Sequence, residues 1–164
     1  MADKKHKTKL KEGEKAPLFK GMDQNEKVVS LNDFNGKKLV LYFYPKDNTP
    51  GCTMQSCNLR DNFSVLKSHG FEVVGVSPDG IESHKKFAHR FNLPYSLIVD
   101  DKLEIINAYD VWGKKSLFGV AYQGLVRTTF LINEKGIIDA IIDNVKTNNH
   151  TKQILDFYEK REKK

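Results

Sequence analysis

Both cysteines of this chain lie in one short stretch, at Cys52 and Cys57. An apolar run over residues 39–44 leads into the stretch, and Pro45 ends that run because proline cannot donate a hydrogen bond to a sheet. The next residues, Asp47-Asn48-Thr49-Pro50-Gly51, favour a turn. The sequence therefore predicts a strand buried on both faces, then a turn, then the first cysteine.

Beyond Cys52 the apolar residues take up helical spacing. One helix face is formed by residues four and three positions apart: Leu59, Phe63 and Leu66. The pattern predicts a helix over residues 52–68, ended by the C-cap glycine Gly70. Cys52 would lie in the first turn, where free N–H groups and the helix dipole stabilise a thiolate. Such a cysteine is a candidate nucleophile, and the alternative is a buried, inert side chain.

The remaining segments alternate between strand and helix patterns. Strands are predicted over residues 27–31, 71–77, 94–99, 127–133 and 137–142. Helices are predicted over residues 81–91 and 102–109, and after the capping pair Asn148-Asn149. Residues 111–126 have no clear period, and we expect one short strand there, at 119–122. The order indicates one α/β domain over residues 12–158, with a parallel, right-handed strand–helix–strand unit around the cysteines.

The net charge of +6 is concentrated at the two ends of the chain. Residues 1–20 carry +4 and residues 159–164 carry +2, so the body is neutral by count. We interpret residues 1–11 as a disordered basic tail and residues 159–164 as a charged end, not as nucleic-acid or membrane-binding segments. No apolar run is long enough to span a membrane, and the N-terminus lacks the apolar core of a secretory signal. The expected location is the cytoplasm, where structural disulfides are rare, so the two cysteines indicate catalysis or redox switching.

The motif Pro45-x-x-x-Thr49-x-x-Cys52 resembles the active-site motif of peroxiredoxins. The longer string from Phe43 to Thr53 resembles the bacterioferritin comigratory protein, or peroxiredoxin Q, subgroup. Supporting stretches are Leu31–Lys37, Gly75–Ser77, Trp112–Lys114 and Arg127–Ile132. The resemblance implies a thioredoxin-like three-layer fold with a central mixed sheet flanked by helices. It also implies cysteine-based reduction of peroxides without a metal or an organic cofactor.

Under this resemblance, five residues carry the chemistry. Cys52 is the peroxidatic residue, Thr49 donates to a peroxide oxygen, and Pro45 shields the pocket from water. Arg127 stabilises the thiolate and the leaving oxygen, since a guanidinium stays charged and presents forked donors. Attack leaves a sulfenic acid, which Cys57 resolves as an intramolecular disulfide. Hydrogen peroxide and small alkyl hydroperoxides are the expected substrates, thioredoxin or a similar dithiol the expected reductant, and the protein is expected to be a monomer.

Each of these roles has a structural alternative. Thr49 could be a helix N-cap or form an ST-turn, and Pro45 could only end the strand. Arg127 could be a surface residue on an edge strand, and Cys57 could be a spectator. A zinc pair is disfavoured because zinc sites usually need four ligands and no histidine cluster accompanies the cysteines. For the whole chain, one alternative is a thiol–disulfide oxidoreductase acting on protein disulfides, which usually carries Cys-x2-Cys. The other is a non-catalytic thioredoxin-fold binding or holdase module.

The proposed resolving step requires a change of structure. On a regular helix, residues five positions apart have Cα atoms about 8.6 Å from each other. A disulfide needs less than about 7 Å, so we predict that oxidation unwinds the first turn of the helix. Ser56→Ala, which favours helix, is then expected to slow disulfide formation slightly. Two departures from the subgroup lie in this helix: Gln55 replaces a common acid, and Asn58-Leu59 replaces an acid-aromatic pair.

Overall fold

The computed structural model describes residues 5–162, apart from the side chains at positions 117, 161 and 162. The strands, in chain order, are β1 (Lys20–Met22), β2 (Val28–Ser30), β3 (Lys38–Phe43), β4 (Phe71–Ser77), β5 (Ser96–Val99), β6 (Trp112–Leu117), β7 (Val120–Leu125), β8 (Thr128–Ile132) and β9 (Ile138–Ile142). The helices are α1 (Pro50–Asp61), α2 (Phe63–Ser68), α3 (Ile81–Phe91), α4 (Glu104–Ala108) and α5 (His150–Glu162), with a 3-10 helix at Leu31–Phe34.

The central sheet is mixed, as the sequence predicted. Its five strands lie in the order β5-β4-β3-β8-β9. Strands β3, β4 and β5 run parallel, which places the carboxyl ends of β3 and β4 at one edge. Strands β8 and β9 form an antiparallel hairpin, and β8 pairs antiparallel with β3. The start of β8 therefore lies beside the end of β3, where the cysteine stretch begins.

Strand β3 is buried on both faces, which explains its unbroken apolar run. Leu39, Leu41 and Phe43 pack into one core with residues of α4. Val40 and Tyr42 pack into a second core with residues of α1, α2, α3 and α5. The sheet is thus the middle layer of three, and the predicted three-layer architecture is confirmed.

The predicted single helix over residues 52–68 is divided in two. Asn62 has φ −112° and ψ 15°, outside the α-helical region, and separates α1 from α2. Its side-chain Nδ2 donates to the Asn58 carbonyl at 2.8 Å. An asparagine side chain that bonds to nearby backbone offers the chain an alternative to continued helix. The helical segment ends at Gly70, as predicted, and this glycine has φ +86°.

The prediction of one short strand within residues 111–126 is wrong. Strands β6 and β7 form a two-stranded antiparallel hairpin, with Trp112 opposite Leu125. Its two-residue turn is Phe118-Gly119, and both residues have positive φ, of 52° and 80°. A turn of this type normally carries asparagine or glycine at the first position, so phenylalanine conceals it. Most of β7 is also exposed, which removes the apolar alternation that marks a half-buried strand.

The basic N-terminal segment bonds to strand β6 and to the residues just before it. The backbone N–H of His6 donates to the Lys114 carbonyl at 2.9 Å. The His6 Nε2 lies 3.1 Å from a carboxylate oxygen of Asp110. The ring occupies the space that a side chain at Gly113 would fill. The expectation of a solvated tail therefore does not describe residues 5–11.

Parts of both predicted ends, residues 1–4 and 163–164, lie outside the described residues. At the C-terminus, α5 continues through Glu162, so the predicted charged end begins inside a helix.

Candidate active site

Cys52 is the third residue of α1, directly beyond the end of β3, as predicted. Thr49 occupies the N-cap position with extended backbone, and Pro50 begins the helix. Proline suits that position because its missing N–H would have had no helical partner. The first intrahelical bond at this end runs from the Thr53 N–H to the Thr49 carbonyl. The Cys52 thiol is fully buried beside this positive helix end.

Arg127 contacts the cysteine directly. Its Nη2 donates to the Cys52 Sγ across 3.2 Å. The two residues meet because Thr128, the first residue of β8, pairs with Phe43, the last residue of β3. Arg127 precedes that pair and therefore lies at the same sheet edge as the cysteine stretch. The alternative of an arginine exposed on the surface does not fit this contact.

Gln55 holds the other side of the guanidinium. Its Oε1 accepts from the Arg127 Nη1 at 2.5 Å. The side chain is fully buried, and its Nε2 has no hydrogen-bond partner among the described residues. Gly51 leaves room for this arrangement, since a Cβ there would lie 3.3 Å from the Arg127 Nη2. The amide is a neutral acceptor, so it orients the guanidinium without cancelling the positive charge that faces Cys52.

Thr49 and Pro45 lie in the segment between β3 and α1, and both are half-buried. The Thr49 hydroxyl does not cap α1. It donates instead to the Lys46 carbonyl at 2.8 Å, within the turn that leads to the helix. The alternative of a side-chain helix cap is therefore not what the structure shows.

The turn between β3 and α1 is held to the rest of the protein by Asp47, whose carboxylate is buried. It accepts hydrogen bonds from the Tyr44 hydroxyl at 2.7 Å and the Ser83 hydroxyl at 2.8 Å. It also accepts from the His84 Nδ1 at 2.7 Å. The Asp47 N–H donates to the Asp79 carboxylate at 2.8 Å. Sequence reasoning missed this anchor, because Asp47 reads as an ordinary turn residue.

Asp47, Asp79 and His84 are also the one group of described residues that could hold a metal, with ligand atoms within 4.8 Å of one another. The His84 Nδ1 faces the Asp47 carboxylate, and the Nε2 faces the Ile98 carbonyl at 2.8 Å. Both ring nitrogens thus lie at hydrogen-bond distance from oxygen atoms of the protein. In this structure the group joins the turn to α3 through hydrogen bonds.

A second cation, Lys115 of β6, lies near the cysteine. Its Nζ donates to the Leu125 carbonyl at 2.6 Å. Partial burial lowers the pKa of Lys115, the charge of Arg127 lowers it further, and Cys52 acts in the opposite direction. The sequence did not single out this residue, because its position depends on the unpredicted hairpin.

Cys57 is the eighth of the 12 residues of α1, and its thiol is half-buried. Burial raises the pKa of Cys57, and the charges of Arg60 and Asp61 act in opposite directions on it. Both cysteines are free thiols within one unbroken helix. At about 8.6 Å between Cα atoms on such a helix, they cannot form a disulfide until the helix opens.

Contacts to the rest of the protein hold the helix on both sides of Cys57. Ser56 is buried, and its hydroxyl bonds to the Tyr42 hydroxyl at 2.9 Å. The Tyr95 hydroxyl donates to the Ser56 carbonyl at 2.9 Å. On the other side, the Asn58 side chain accepts from the Thr151 N–H of α5 at 2.8 Å. These bonds must break if the helix unwinds through Cys57.

The described residues contain no helix that is both long and apolar enough to cross a membrane.

Residues 13–141 match the AhpC/TSA family, and the chain belongs to that family. Among curated proteins, Peroxiredoxin Bcp from Escherichia coli is 42% identical over 148 residues, which are 90% of this chain and 95% of that protein. Peroxiredoxin Bcp from Bacillus subtilis is 42% identical over 143 residues, covering 87% and 91% of the two chains.

Solved structures agree with this assignment. A peroxiredoxin Q mutant from Xylella fastidiosa superposes with a TM-score of 0.86 at 27% identity, covering 94% of this chain and 99% of that one. A peroxiredoxin Q mutant from Xanthomonas campestris gives a TM-score of 0.80 at 28% identity, covering 87% and 91%. The predicted thioredoxin-like peroxiredoxin fold and the predicted subgroup resemblance are both confirmed.

Proposed function

We propose that this protein is a thiol peroxidase that reduces hydrogen peroxide and alkyl hydroperoxides. The observation that carries the proposal is the buried Cys52 Sγ, 3.2 Å from the Arg127 Nη2 at the start of a helix. A guanidinium and a helix N-terminus both stabilise negative charge, first on the thiolate and then on the departing oxygen. Alkyl peroxide reduction is the stated activity of the Xanthomonas campestris bacterioferritin comigratory protein, whose chain is 28% identical to this one with a TM-score of 0.78.

In the first step, the Cys52 thiolate attacks one oxygen of the peroxide. An S–O bond forms, the O–O bond breaks, and the other oxygen leaves with the bonding electrons and takes up a proton. Arg127 faces both the sulfur and the site of developing charge. The Thr49 hydroxyl, which donates to the Lys46 carbonyl in the structure, would turn to hold the peroxide in line. Pro45 would limit the access of water.

In the second step, the Cys57 sulfur attacks the Cys52 sulfenic acid. The S–S bond forms, the S–O bond breaks, and water leaves. Because α1 contains both cysteines, this step requires the helix to open and its contacts to Tyr95 and Thr151 to break. A dithiol reductant, for which we propose thioredoxin, then returns the protein to the two-thiol state. Resolution within one chain is consistent with a monomer, and two free thiols suit the cytoplasm.

The deciding experiment combines peroxide consumption with intact mass. One equivalent of hydrogen peroxide should be consumed rapidly, and the mass should fall by two hydrogens as the disulfide forms. A chain that reduces insulin disulfides but consumes no peroxide would instead be a thiol–disulfide oxidoreductase. Absence of both activities would support a binding or holdase module.

A further inference from the structure

The turn that carries the proposed catalytic Thr49 is joined to α3 through one buried carboxylate. Asp47 lies two residues before Thr49, and its side chain is 1% exposed. Its carboxylate binds Ser83 and His84, both of which belong to α3. Asn48, between Asp47 and Thr49, has a positive φ of 62°. A turn in that strained conformation persists only when its surroundings hold it there.

His84 holds the carboxylate from a rigid position. Its ring is fully buried, and its two nitrogens bind Asp47 and the Ile98 carbonyl on β5. The ring therefore links the turn on one side to β5 on the other. These two hydrogen bonds fix where Asp47, and with it the turn, can lie.

We propose that His84 is a positioning residue for the peroxidase reaction, acting through Asp47 on the turn that presents Thr49. This inference rests on the proposed function. Cys52 lies on α1, and Arg127 lies directly before β8. The contact between their side chains does not involve His84. Loss of His84 should therefore disturb the alignment of the peroxide while leaving the cysteine–arginine contact intact.

The test compares two variants. His84→Gln has one amide nitrogen, which cannot replace the two ring nitrogens that contact Asp47 and the Ile98 carbonyl. Ser83→Ala removes another donor to Asp47. The control is His89→Gln, on the same helix but exposed. The rate constant for the first reaction with hydrogen peroxide is measured by stopped flow, at a temperature where circular dichroism shows each variant folded. We expect a loss of about tenfold or more for His84→Gln, a loss of a fewfold for Ser83→Ala, and none for His89→Gln. The fraction of Cys52 present as thiolate at neutral pH should not change.

A double-mutant cycle with Thr49→Val distinguishes a positioning role of His84 from a role in stabilising the fold alone. If His84 acts through the position of the Thr49 hydroxyl, His84→Gln should have little further effect once that hydroxyl is gone. Equal effects of His84→Gln in both backgrounds would overturn the proposal, as would an unchanged rate in folded His84→Gln.

One readout does not require any variant or any turnover. Nitrogen NMR of histidine-labelled wild-type protein should show both His84 ring nitrogens in hydrogen bonds. A His84 ring nitrogen that makes no hydrogen bond would overturn the proposal even if His84→Gln failed to fold. Wild-type protein that consumed no peroxide would refute the proposed function instead, whatever the state of the ring.

Discussion

Cys52 and Cys57 lie five positions apart on one helix, but their surroundings differ in burial, in position along the helix and in the neighbouring charged groups. Cys52 is fully buried, lies at the positive end of α1 and accepts a hydrogen bond from Arg127. Cys57 is half-buried, and burial raises its pKa. In the proposed reaction, the folded helix would thus hold the first thiol beside a positive charge, whereas burial disfavours the thiolate form of the second. The difference suggests that peroxide attack belongs to the folded helix and disulfide formation to the opened one.

The largest expected effect comes from replacing the sulfur of each cysteine by oxygen, with serine variants. Cys52→Ser should abolish peroxide consumption with any reductant. Cys57→Ser should consume one equivalent of peroxide and then show no further turnover with thioredoxin as the reductant. Its Cys52 should remain as a sulfenic acid, which dimedone traps. Peroxide consumption and dimedone labelling measure both. More than a few per cent of activity in Cys52→Ser would refute the assignment of the nucleophile.

The second test acts only on the Cys52 end. Arg127→Lys keeps the charge but loses the fork that binds Cys52 and Gln55 together. The rate with peroxide should fall about tenfold or more, equivalent to about 1.4 kcal/mol. The exposed Arg90→Lys is the matched control and should leave the rate unchanged. Equal rates in the two variants would place Arg127 outside the reaction.

The third test uses pH to weaken α5, which bonds to the second half of α1 beside Cys57. Burial lowers the pKa of His150, at the start of α5, from 6.5 to about 4. Between these values the unfolded chain binds the extra proton and the folded chain does not, so the free energy of unfolding decreases as the pH falls. The decrease should total about 3 kcal/mol across this window. Urea unfolding of wild type and His150→Gln at several pH values measures it.

The exposed His69→Gln serves as the control and should retain the wild-type pH dependence. Hydrogen exchange at acidic pH should also be faster around Cys57 than around Cys52, because Thr151 of α5 binds Asn58. Uniform exchange along α1 would show that α5 does not stabilise one end selectively.

The smallest expected effect concerns Ser56→Ala, and the structure reverses its expected sign. Alanine favours helix by a few tenths of a kcal/mol. The Ser56 hydroxyl, however, bonds to the buried Tyr42, and such a bond contributes about 1 kcal/mol. The lost bond outweighs the gain, so disulfide formation should accelerate by a fewfold while peroxide attack is unchanged. Stopped-flow fluorescence after one equivalent of peroxide separates the two steps, and slower disulfide formation would restore the original expectation.

The sequence predicted the parts of the site that depend on local pattern. An apolar run, a proline and a helical period place Cys52, and a motif before an apolar strand singles out Arg127. Contacts between distant segments were not predictable in this way. The binding of Asp47 by His84 depends on how α3 packs, and two ordinary polar residues give no periodic signal of it. Gln55 stands out in the sequence only as a departure from the subgroup, and no local pattern indicates its bond to Arg127.

The contact between His6 and the face of β6 has a practical consequence for how the protein is handled. A purification tag joined to the first residue leaves the His6 contacts in place, whereas trimming the chain to its family-matched region, which begins at residue 13, removes them. Such trimming deprives Asp110 of the His6 ring and uncovers Gly113. Loss of residues 2–10 should therefore lower the melting temperature while sparing the thiol reaction. A shortened chain chosen for easier crystallisation would then be a less stable protein than the one whose kinetics are of interest.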